Sequence, residues 1–313
     1  MKRPRLFLLR GRFWAGALPW AWLLLFFVLP FALIVDVSLS TPELAVPPYV
    51  SPLSVGPGGQ LHWSPDATPY RRLLDELGLL AQPGADRPYL AAWGNSLLMA
   101  ALTTLVCLAI GYPFAYQIAR SAEASRQTLL MLVMLPFWTS FLLRVYAWMS
   151  LLDSSEVGLI NQALLAAGWV REPLPLLYNS GAVLAGMVYS YLPFMVLPLY
   201  SHLVKLDGRL LEAARDLGAK PATIFLRITL PLSQRGIVAG SMMVFIPAVG
   251  EFVIPDLLGG GDVMMIGRRI WDDFGPNQDW PMAAAVAVVM VAVLIAPIML
   301  LHRQGRDVSG GRK

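Results

Sequence analysis

Six long apolar segments constrain the fold of this chain more than any other feature. Each is about 20 residues or longer, the length that a helix needs to cross the ~30 Å hydrocarbon core of a bilayer. They run Leu18–Val37, Ser96–Ala119, Leu129–Leu152, Gly181–Tyr200, Gly236–Leu258 and Met282–Leu301. Because open backbone cannot face lipid, we predict a helix for each segment. The sequence therefore predicts an all-α, polytopic membrane protein with about six transmembrane helices.

The composition agrees with a membrane protein. Of the 313 residues, 57% are hydrophobic and only 14% are charged, whereas a soluble domain carries roughly 25% charged residues. The single cysteine, Cys107, lies within an apolar segment, and the three histidines lie in separate connections. We therefore expect no metal site. The first segment exceeds the apolar core of a signal peptide, about 7–15 residues, so we expect an uncleaved helix there.

The distribution of basic residues predicts the orientation of the helices. Seventeen lysines and arginines fall in the N-terminal segment, the loops 120–128 and 201–235, and the C-terminal tail, whereas the other loops together hold six. By the positive-inside rule we predict that both termini and loop 201–235 are cytoplasmic. The net charge of +4 is then an orientation signal within a lipid bilayer, and we expect no nucleic-acid partner.

The hydrophilic loop 201–235 carries a local pattern for two short helices. Leucines and an alanine recur at helical spacing between positions 210 and 217. Asp207 is placed as the N-cap of the first helix and Gly218 as its C-terminal stop. Pro221 can open a second helix at its first turn, where a missing N–H is tolerated, and Pro231 is placed to end or kink it. We therefore predict two helices joined at a glycine corner.

The same loop contains the most specific motif in the chain. Glu212-Ala213-Ala214 is followed by Gly218 and then by Ile228-x-Leu230-Pro231, a spacing that resembles the cytoplasmic coupling loop of permease subunits in binding-protein-dependent ABC importers. The resemblance implies that the loop contacts a separate ATPase. The predicted contact residues are Glu212, Ala213, Ala214, Arg215, Asp216, Gly218, Ile228 and Pro231. An ordinary amphipathic helix on the membrane surface is the alternative.

No phosphate-binding motif of the form G-x-x-x-x-G-K-[ST] occurs in the sequence. If the transporter interpretation holds, another polypeptide must supply the energy. We therefore expect no cofactor in this chain, with ATP and magnesium bound by the partner ATPase subunits.

Two further stretches narrow the family. Residues 135–148 read LPFWTSFLLRVYAW, and residues 250–260 read GEFVIPDLLGG; with the loop motif they look like the spermidine/putrescine permease family, over residues 93–301. The resemblance implies a type I ABC importer transmembrane domain that moves polyamines across the bacterial inner membrane. It also implies three kinds of partner: a second permease subunit that forms a heterodimer, two ATPase subunits and a periplasmic binding protein.

The predicted domain organisation follows from the segments and the resemblance. Residues 1–95 comprise an N-terminal transmembrane helix and a Pro/Gly-rich extracytoplasmic loop, in which 69–80 could form a short helix. Residues 96–301 form the core permease domain with five transmembrane helices, and residues 302–313 form a cytoplasmic tail.

Polar and aromatic residues inside the apolar segments are candidates for lining a translocation path. An ionisable residue at mid-membrane costs roughly 2.5–3.5 kcal/mol, so it persists where it is paired or faces water. Glu251 lies between two prolines, where the backbone can open toward a cavity. The candidates are Glu251, Arg144, Asp256, Trp138, Tyr146 and Tyr189. Alternatively, Glu251 and Arg144 form a structural pair, the aromatic residues serve packing, and Asp256 is a solvated group near the interface.

Three other functions remain open at this point. The chain could be an ABC permease for an opine, another organic cation or another small solute, because such relatives share the loop motif. It could be a secondary transporter or channel, although it lacks the internal repeats of many such proteins. Gly259-x-Gly261-Asp262 matches a short pattern of intramembrane proteases, but no Tyr-Asp pair accompanies it. We therefore expect a non-catalytic membrane subunit.

Overall fold

The computed structural model describes residues 17–55, 60–76, 87–261 and 263–307. Several predicted features lie outside them: the N-terminal cations Lys2, Arg3, Arg5, Arg10 and Arg12, the tail residues Arg312 and Lys313, the side chains of Arg303 and Arg306, and Asp262 of the protease-like pattern. The chain divides into two compact units, residues 1–87 with 270–313, and residues 88–269. The predicted division into domains at 95 and 301 stays a prediction.

The first unit is built on two helices that pack against each other, α1 (Ala17–Ser38) and α13 (Trp280–Asp307). The connection after α1 forms two short antiparallel hairpins, β1 (Thr41–Pro42) with β2 (Tyr49–Val50) and β3 (Leu53–Val55) with β4 (Leu61–Trp63). Sequence periodicity did not predict these hairpins, because their strands have only two or three residues. A short helix, α2 (Thr68–Glu76), follows and confirms the helix predicted over 69–80 as far as Glu76; positions 77–80 lie outside the described residues.

Polar contacts order the end of this connection. The Asp66 carboxylate accepts a hydrogen bond from the backbone N–H of Thr68 at 2.8 Å. Hydrogen bonds to Thr68 lower the pKa of Asp66, because they stabilise its ionised form. Arg72 in α2 lies 3.6 Å from the carboxylate of Asp279, just before α13.

Three long helices form the core of the second unit: α3 (Pro88–Arg120), α7 (Ser180–Leu203) and α10 (Gln234–Val249). They approach closely because small residues lie at the crossings. A Cβ added to Gly240 would lie 2.9 Å from the sulfur of Met195, and one added to Gly111 would lie 3.1 Å from a side-chain carbon of Met195. Because glycine has a hydrogen atom where other residues have a Cβ, the helices can pack this closely.

Shorter helices account for the rest of the described helical chain. They are α4 (Glu123–Trp138), α5 (Phe141–Leu152), α6 (Leu159–Ala166), α8 (Gly208–Asp216), α9 (Pro221–Leu232), α11 (Val253–Leu258) and α12 (Ile266–Phe274). The last turn of α4 is a 3₁₀ turn, and α9 contains a π-helical turn.

Each predicted span coincides with one or two described helices, but fewer than six of the described helices are long and apolar enough to cross a membrane. Among the described residues, α1, α3 and α7 are each long and apolar enough to cross a membrane. The pair α4 and α5, bent by 88°, and the pair α9 and α10, bent by 65°, also qualify if each pair counts as one span. In α13 the described apolar stretch is shorter, Trp280–Ile295.

Two of the six segments are not single continuous helices; the prediction of one unbroken helix was wrong for Leu129–Leu152, whereas a break at Glu251 agrees with the predicted opening between two prolines. Leu129–Leu152 breaks at Thr139, whose backbone is extended with φ −100° and ψ 153°; Pro136 in the turn before the break has no N–H to continue the helix. Gly236–Leu258 also breaks, because α10 ends at Val249 and the separate helix α11 begins at Val253.

Candidate functional site

The loop 201–235 folds into the two predicted helices. The carboxylate of Asp207 accepts a hydrogen bond from the backbone N–H of Arg209 at 3.0 Å and so caps α8. Beyond the end of α8, Gly218 turns the chain with φ +77°, a conformation that favours glycine. Pro221 occupies the first turn of α9. The predicted cap, stop and helix start are therefore confirmed.

Helix α8 presents most of its predicted contact residues at the surface. Glu212, Ala213, Arg215 and Asp216 are exposed, whereas Ala214 is half-buried. The apolar side chain of Leu217 is 88% exposed. Exposed apolar groups flanked by charges are typical of a helix that docks against another protein.

Aromatic contacts attach α9 to the end of α3. The ring of Phe225 meets the rings of Tyr112 and Tyr116 edge-on, with centroids 5.5 and 6.1 Å apart. Ile224 beside it is buried. Such edge-to-face pairs contribute about 0.5–1.5 kcal/mol each beyond the area that they bury. Helix α9 is therefore fixed to the helical core.

A hydrogen-bonded joint connects α9 to α10 at Ser233. The Ser233 hydroxyl donates to the carbonyl of Leu230 at 3.0 Å and lies 2.8 Å from the hydroxyl of Tyr112. Because Ser233 uses its proton on Leu230, Tyr112 is the donor in their contact. Of the two remaining contact candidates, Ile228 is half-buried and Pro231 is exposed. The bend between α9 and α10 is therefore tied directly to α3.

A cleft of about 360 Å³ lies between α8 and the ends of α3 and α7. Glu212 and Arg215 line it from α8, and Tyr116 and Arg120 line it from α3. The guanidinium carbon of Arg120 lies 4.2 Å from the centre of the Tyr116 ring. The cleft thus brings two predicted contact residues, Glu212 and Arg215, beside Arg120, a cation that lies outside the motif.

Glu251 organises the break between α10 and α11. One of its carboxylate oxygens accepts hydrogen bonds from the backbone N–H groups of Phe252, Val253 and Ile254 at 3.1, 3.1 and 3.4 Å. The Tyr191 hydroxyl donates to the other oxygen at 2.5 Å. The side chain is buried. Glu251 therefore caps α11 and does not form the alternative pair with Arg144.

Asp256 has a cationic partner that sequence analysis missed. Its carboxylate lies 3.2 Å from the guanidinium of Arg268, and Arg268 also donates to the carbonyl of Gly260. Gly260 adopts φ +60°, which allows the chain to turn back after α11. One arginine therefore closes the turn that follows α11.

The base of this re-entrant segment, residues 250–268, is closed by a backbone contact. A Cβ on Gly267 would lie 2.3 Å from the carbonyl oxygen of Gly250. From α3, Ser96 accepts a hydrogen bond from the N–H of Ile266 at 2.8 Å, and Asn95 donates to the carbonyl of Met264 at 3.1 Å. The two ends of the segment are therefore held together and against α3.

The remaining path candidates do not form one cluster with Glu251. The guanidinium carbon of Arg144 lies 5.3 Å from the ring centre of Phe137. Tyr189 packs edge-on against Trp148 at 5.5 Å. Trp138 is 72% exposed and Tyr146 is 54% exposed. Their role in a path stays a prediction.

Fold and sequence together define the class of this protein. The family model of the "Binding-protein-dependent transport system inner membrane component" matches residues 3–304, so the chain belongs to this family. It is a membrane component of a transport system and not an enzyme. The protease-like interpretation is thereby excluded.

The names of individual relatives are more specific than the family description, because they include a substrate. The spermidine/putrescine transport system permease protein PotB of Haemophilus influenzae is 42% identical over 212 residues, which are 68% of this chain and 73% of that protein. The PotB protein of Escherichia coli K12 is 40% identical over 237 residues, covering 76% of this chain and 82% of that protein.

A solved structure agrees in fold. The crystal structure of a bacterial ABC transporter involved in the import of alginate has a chain that matches with a TM-score of 0.69 and 17% identity. The match covers 97% of this chain and 99% of that one. At this identity the likeness concerns the fold alone, which is that of a type I ABC importer transmembrane domain.

Proposed function

We propose that this chain is the permease subunit of an ATP-driven importer for polyamines of the spermidine and putrescine kind. The observation that carries the proposal is 40–42% identity to permeases named for these substrates, over 68–76% of the chain. A carbon chain bearing two or three ammonium groups also suits the excess of acidic over basic residues in the loops opposite 201–235.

The proposed orientation places both termini and residues 201–235 in the cytoplasm. The support is the charge asymmetry between the two sets of loops. In this orientation the re-entrant segment 250–268 follows α10 toward the opposite side, where a periplasmic binding protein would deliver the polyamine.

Helix α8 is the proposed docking element for a separate ATPase that binds ATP and magnesium. Support comes from its exposed charged and apolar side chains and from the rigid connection through α9 and Ser233 to α10. A domain movement of the ATPase would reach α10 through these contacts without passing through a flexible loop. The complete importer would contain a second permease subunit, two ATPase subunits and the binding protein.

The transport assay uses the chain in its complete importer, reconstituted in vesicles with the binding protein. We expect labelled spermidine or putrescine to accumulate when ATP is supplied, and to do so when the proton gradient is collapsed. Uptake that follows the proton gradient without ATP would contradict the proposal. Uptake of another organic cation in preference to both polyamines would contradict its substrate part.

The docking role is tested with Glu212→Lys, which reverses a charge on the exposed surface of α8. Glu123→Lys is the matched control, because Glu123 is also an exposed glutamate and lies outside the 201–235 loop. We expect Glu212→Lys to insert normally but to lose coupling between ATP hydrolysis and uptake. Normal coupling in Glu212→Lys, or the same loss in the control, would remove the docking role.

A further inference from the structure

The cleft between α8 and the ends of α3 and α7 carries a surplus of positive charge. Its volume is about 360 Å³, and its charged lining residues are Arg120, Arg215 and Glu212. Two guanidinium groups against one carboxylate leave a net charge of +1. All three residues are exposed, so a ligand from the solvent or from the membrane surface can reach them.

Both arginines of the cleft lack an anionic partner in the described part of the chain. Neither forms an ion pair with Glu212 or with another described carboxylate, although Glu212 lines the same cleft. Arg268 of the same unit, by contrast, binds the carboxylate of Asp256. The cleft therefore offers exposed N–H donors that the described chain leaves available to a ligand.

An aromatic contact holds one of these arginines in position. The guanidinium carbon of Arg120 lies 4.2 Å from the ring centre of Tyr116, and that ring in turn meets Phe225 of α9 edge-on. A cation–π contact restricts the side chain but supplies no oxygen acceptor for its N–H groups. Because these groups form a planar fork that matches the oxygens of a phosphate, Arg120 is prepared to bind such an anion.

We infer that the cleft binds a phosphate-bearing anion, with Arg120 and Arg215 as its ligands. Charge complementarity selects this class, because the net positive lining repels a polyamine and attracts a phosphate group. Arg120 belongs to α3 and Arg215 to α8, so an anion bound to both connects the proposed docking helix to the helical core. Glu212 opposes the anion and lowers its affinity without reversing the charge of the cleft.

The position of the cleft favours a phospholipid headgroup as the source of the phosphate. Helices α3 and α7 end beside it, at Arg120 and Leu203, and both are long and apolar enough to span a membrane. In the proposed orientation these ends lie at the cytoplasmic leaflet, which carries anionic lipid. A soluble phosphate offers the same chemistry, and the second experiment separates the two sources. The inference goes beyond the proposed function, because neither the cargo nor the ATPase enters its argument.

The first test measures binding of phosphatidylglycerol to the complete, detergent-solubilised importer by native mass spectrometry. Arg120→Gln removes one ligand of the phosphate group. Arg235→Gln is the matched control, because Arg235 is an exposed cation at the start of α10 that does not line the cleft. We expect Arg120→Gln to weaken binding at one site per chain by about tenfold or more, and the control to match the wild type. Glu212→Gln removes the opposing charge and should strengthen binding at the same site.

Three results of this test would overturn the inference. One is unchanged binding of phosphatidylglycerol by Arg120→Gln, and another is weaker binding by Glu212→Gln. The third is equal affinity of the site for phosphatidylcholine, because a zwitterionic headgroup would then satisfy it without a net negative charge. Polyamine uptake enters none of these measurements, so their failure leaves the proposed function untouched.

The second test measures occupancy of the cleft itself. A cysteine replaces Leu211, which lines the cleft, in a Cys107→Ser chain, and a thiol reagent labels it in nanodiscs that hold the complete importer without nucleotide. We expect labelling to be severalfold slower in phosphatidylglycerol than in phosphatidylcholine nanodiscs, and Arg120→Gln to abolish the difference.

Inorganic phosphate added to phosphatidylcholine nanodiscs separates the two sources. Protection by phosphate as strong as that by phosphatidylglycerol would support the site and assign it to a soluble anion, whereas protection by the lipid alone would assign it to a headgroup. Labelling that is equally fast or equally slow under all conditions, or protection that persists in Arg120→Gln, would overturn the inference.

Discussion

At the residue scale, Glu251 illustrates how a buried charge can serve the backbone instead of a ligand. Sequence reasoning marked it as a path candidate because it is ionisable within an apolar segment. The structure surrounds its carboxylate with three backbone N–H groups and the Tyr191 hydroxyl. These four donors already occupy both oxygens, so a direct contact with cargo would require them to be released.

This arrangement predicts different effects for three substitutions. Glu251→Ala removes the acceptor of the three α11 N–H groups and of the Tyr191 hydroxyl, so it should be the most destabilising of the three, by at least about 3 kcal/mol. Glu251→Gln keeps a carbonyl acceptor and should be milder. Tyr191→Phe removes one donor to the carboxylate and should cost about 1.5–3 kcal/mol. Thermal unfolding of the detergent-solubilised importer measures all three, with Tyr200→Phe in the same helix as control.

Transport kinetics separate this capping role from a cargo-binding role. If Glu251 only positions α11, Glu251→Gln should lower the maximal uptake rate while the KM for polyamine stays within about twofold of wild type. A strongly raised KM with normal thermal stability would instead mean that the carboxylate binds the cargo.

At the element scale, the corner between α8 and α9 requires glycine at position 218 because of its backbone conformation. A lack of room for a side chain is not the reason. A Cβ at this position would meet no atom within 4 Å among the described residues, but φ is +77°. Strain of this kind costs of order 1–3 kcal/mol for most L-residues and less for asparagine.

The loss of coupling caused by a substitution at Gly218 should therefore depend on two factors. One is how readily the new residue adopts a positive φ, and the other is whether its side chain clashes with a docked ATPase. We expect Gly218→Asn to couple nearly normally, Gly218→Ala to lose part of its coupling, and Gly218→Leu to lose most of it if an ATPase covers the corner. The measurement is uptake per ATP hydrolysed at equal membrane levels of protein. Equal uptake per ATP in Gly218→Asn and Gly218→Leu would mean that no ATPase packs against the corner between α8 and α9.

The joint at Ser233 gives a second prediction at this scale. Tyr112→Phe deletes the hydroxyl that reaches Ser233 from α3 and should destabilise the α9–α10 bend by about 1 kcal/mol. Tyr116→Phe is the control, because it keeps its ring beside Phe225 and lacks a comparable hydrogen bond in the described structure. We expect only Tyr112→Phe to reduce uptake per ATP. Identical behaviour of the two variants would argue against a role for the joint.

These elements also mark where sequence-based reasoning succeeded and failed. Helix lengths, the Asp207 cap and the Gly218 stop follow from local periodicity and backbone preference, so they could be predicted. An opening of the backbone near Glu251 could also be predicted from its two flanking prolines, but the hydrogen bond that Tyr191 donates to Glu251 could not, because the two residues lie 60 positions apart. Arg268 escaped notice for the same reason, since nothing local connects it to Asp256 before the chain folds back.

At the scale of the whole molecule, the orientation proposed from charge is open to direct measurement. Single cysteines at Leu217 and at Trp169, both highly exposed, can be introduced into a Cys107→Ser chain. We expect a membrane-impermeant thiol reagent to label position 169 in intact cells and position 217 only in inverted vesicles. The reverse pattern would invert the orientation, and with it the proposed site of ATPase docking.

The re-entrant segment has a consequence for how such chains can vary. Its base admits no methyl group at Gly267, because the carbonyl of Gly250 occupies that place. An insertion near residue 250 or near residue 267 would separate the two ends of the segment. It would also disrupt the hydrogen bonds that Asn95 and Ser96 make with Met264 and Ile266. We therefore expect length differences among homologous permeases to accumulate in the short stretch after Gly259 and not at the two ends of the segment.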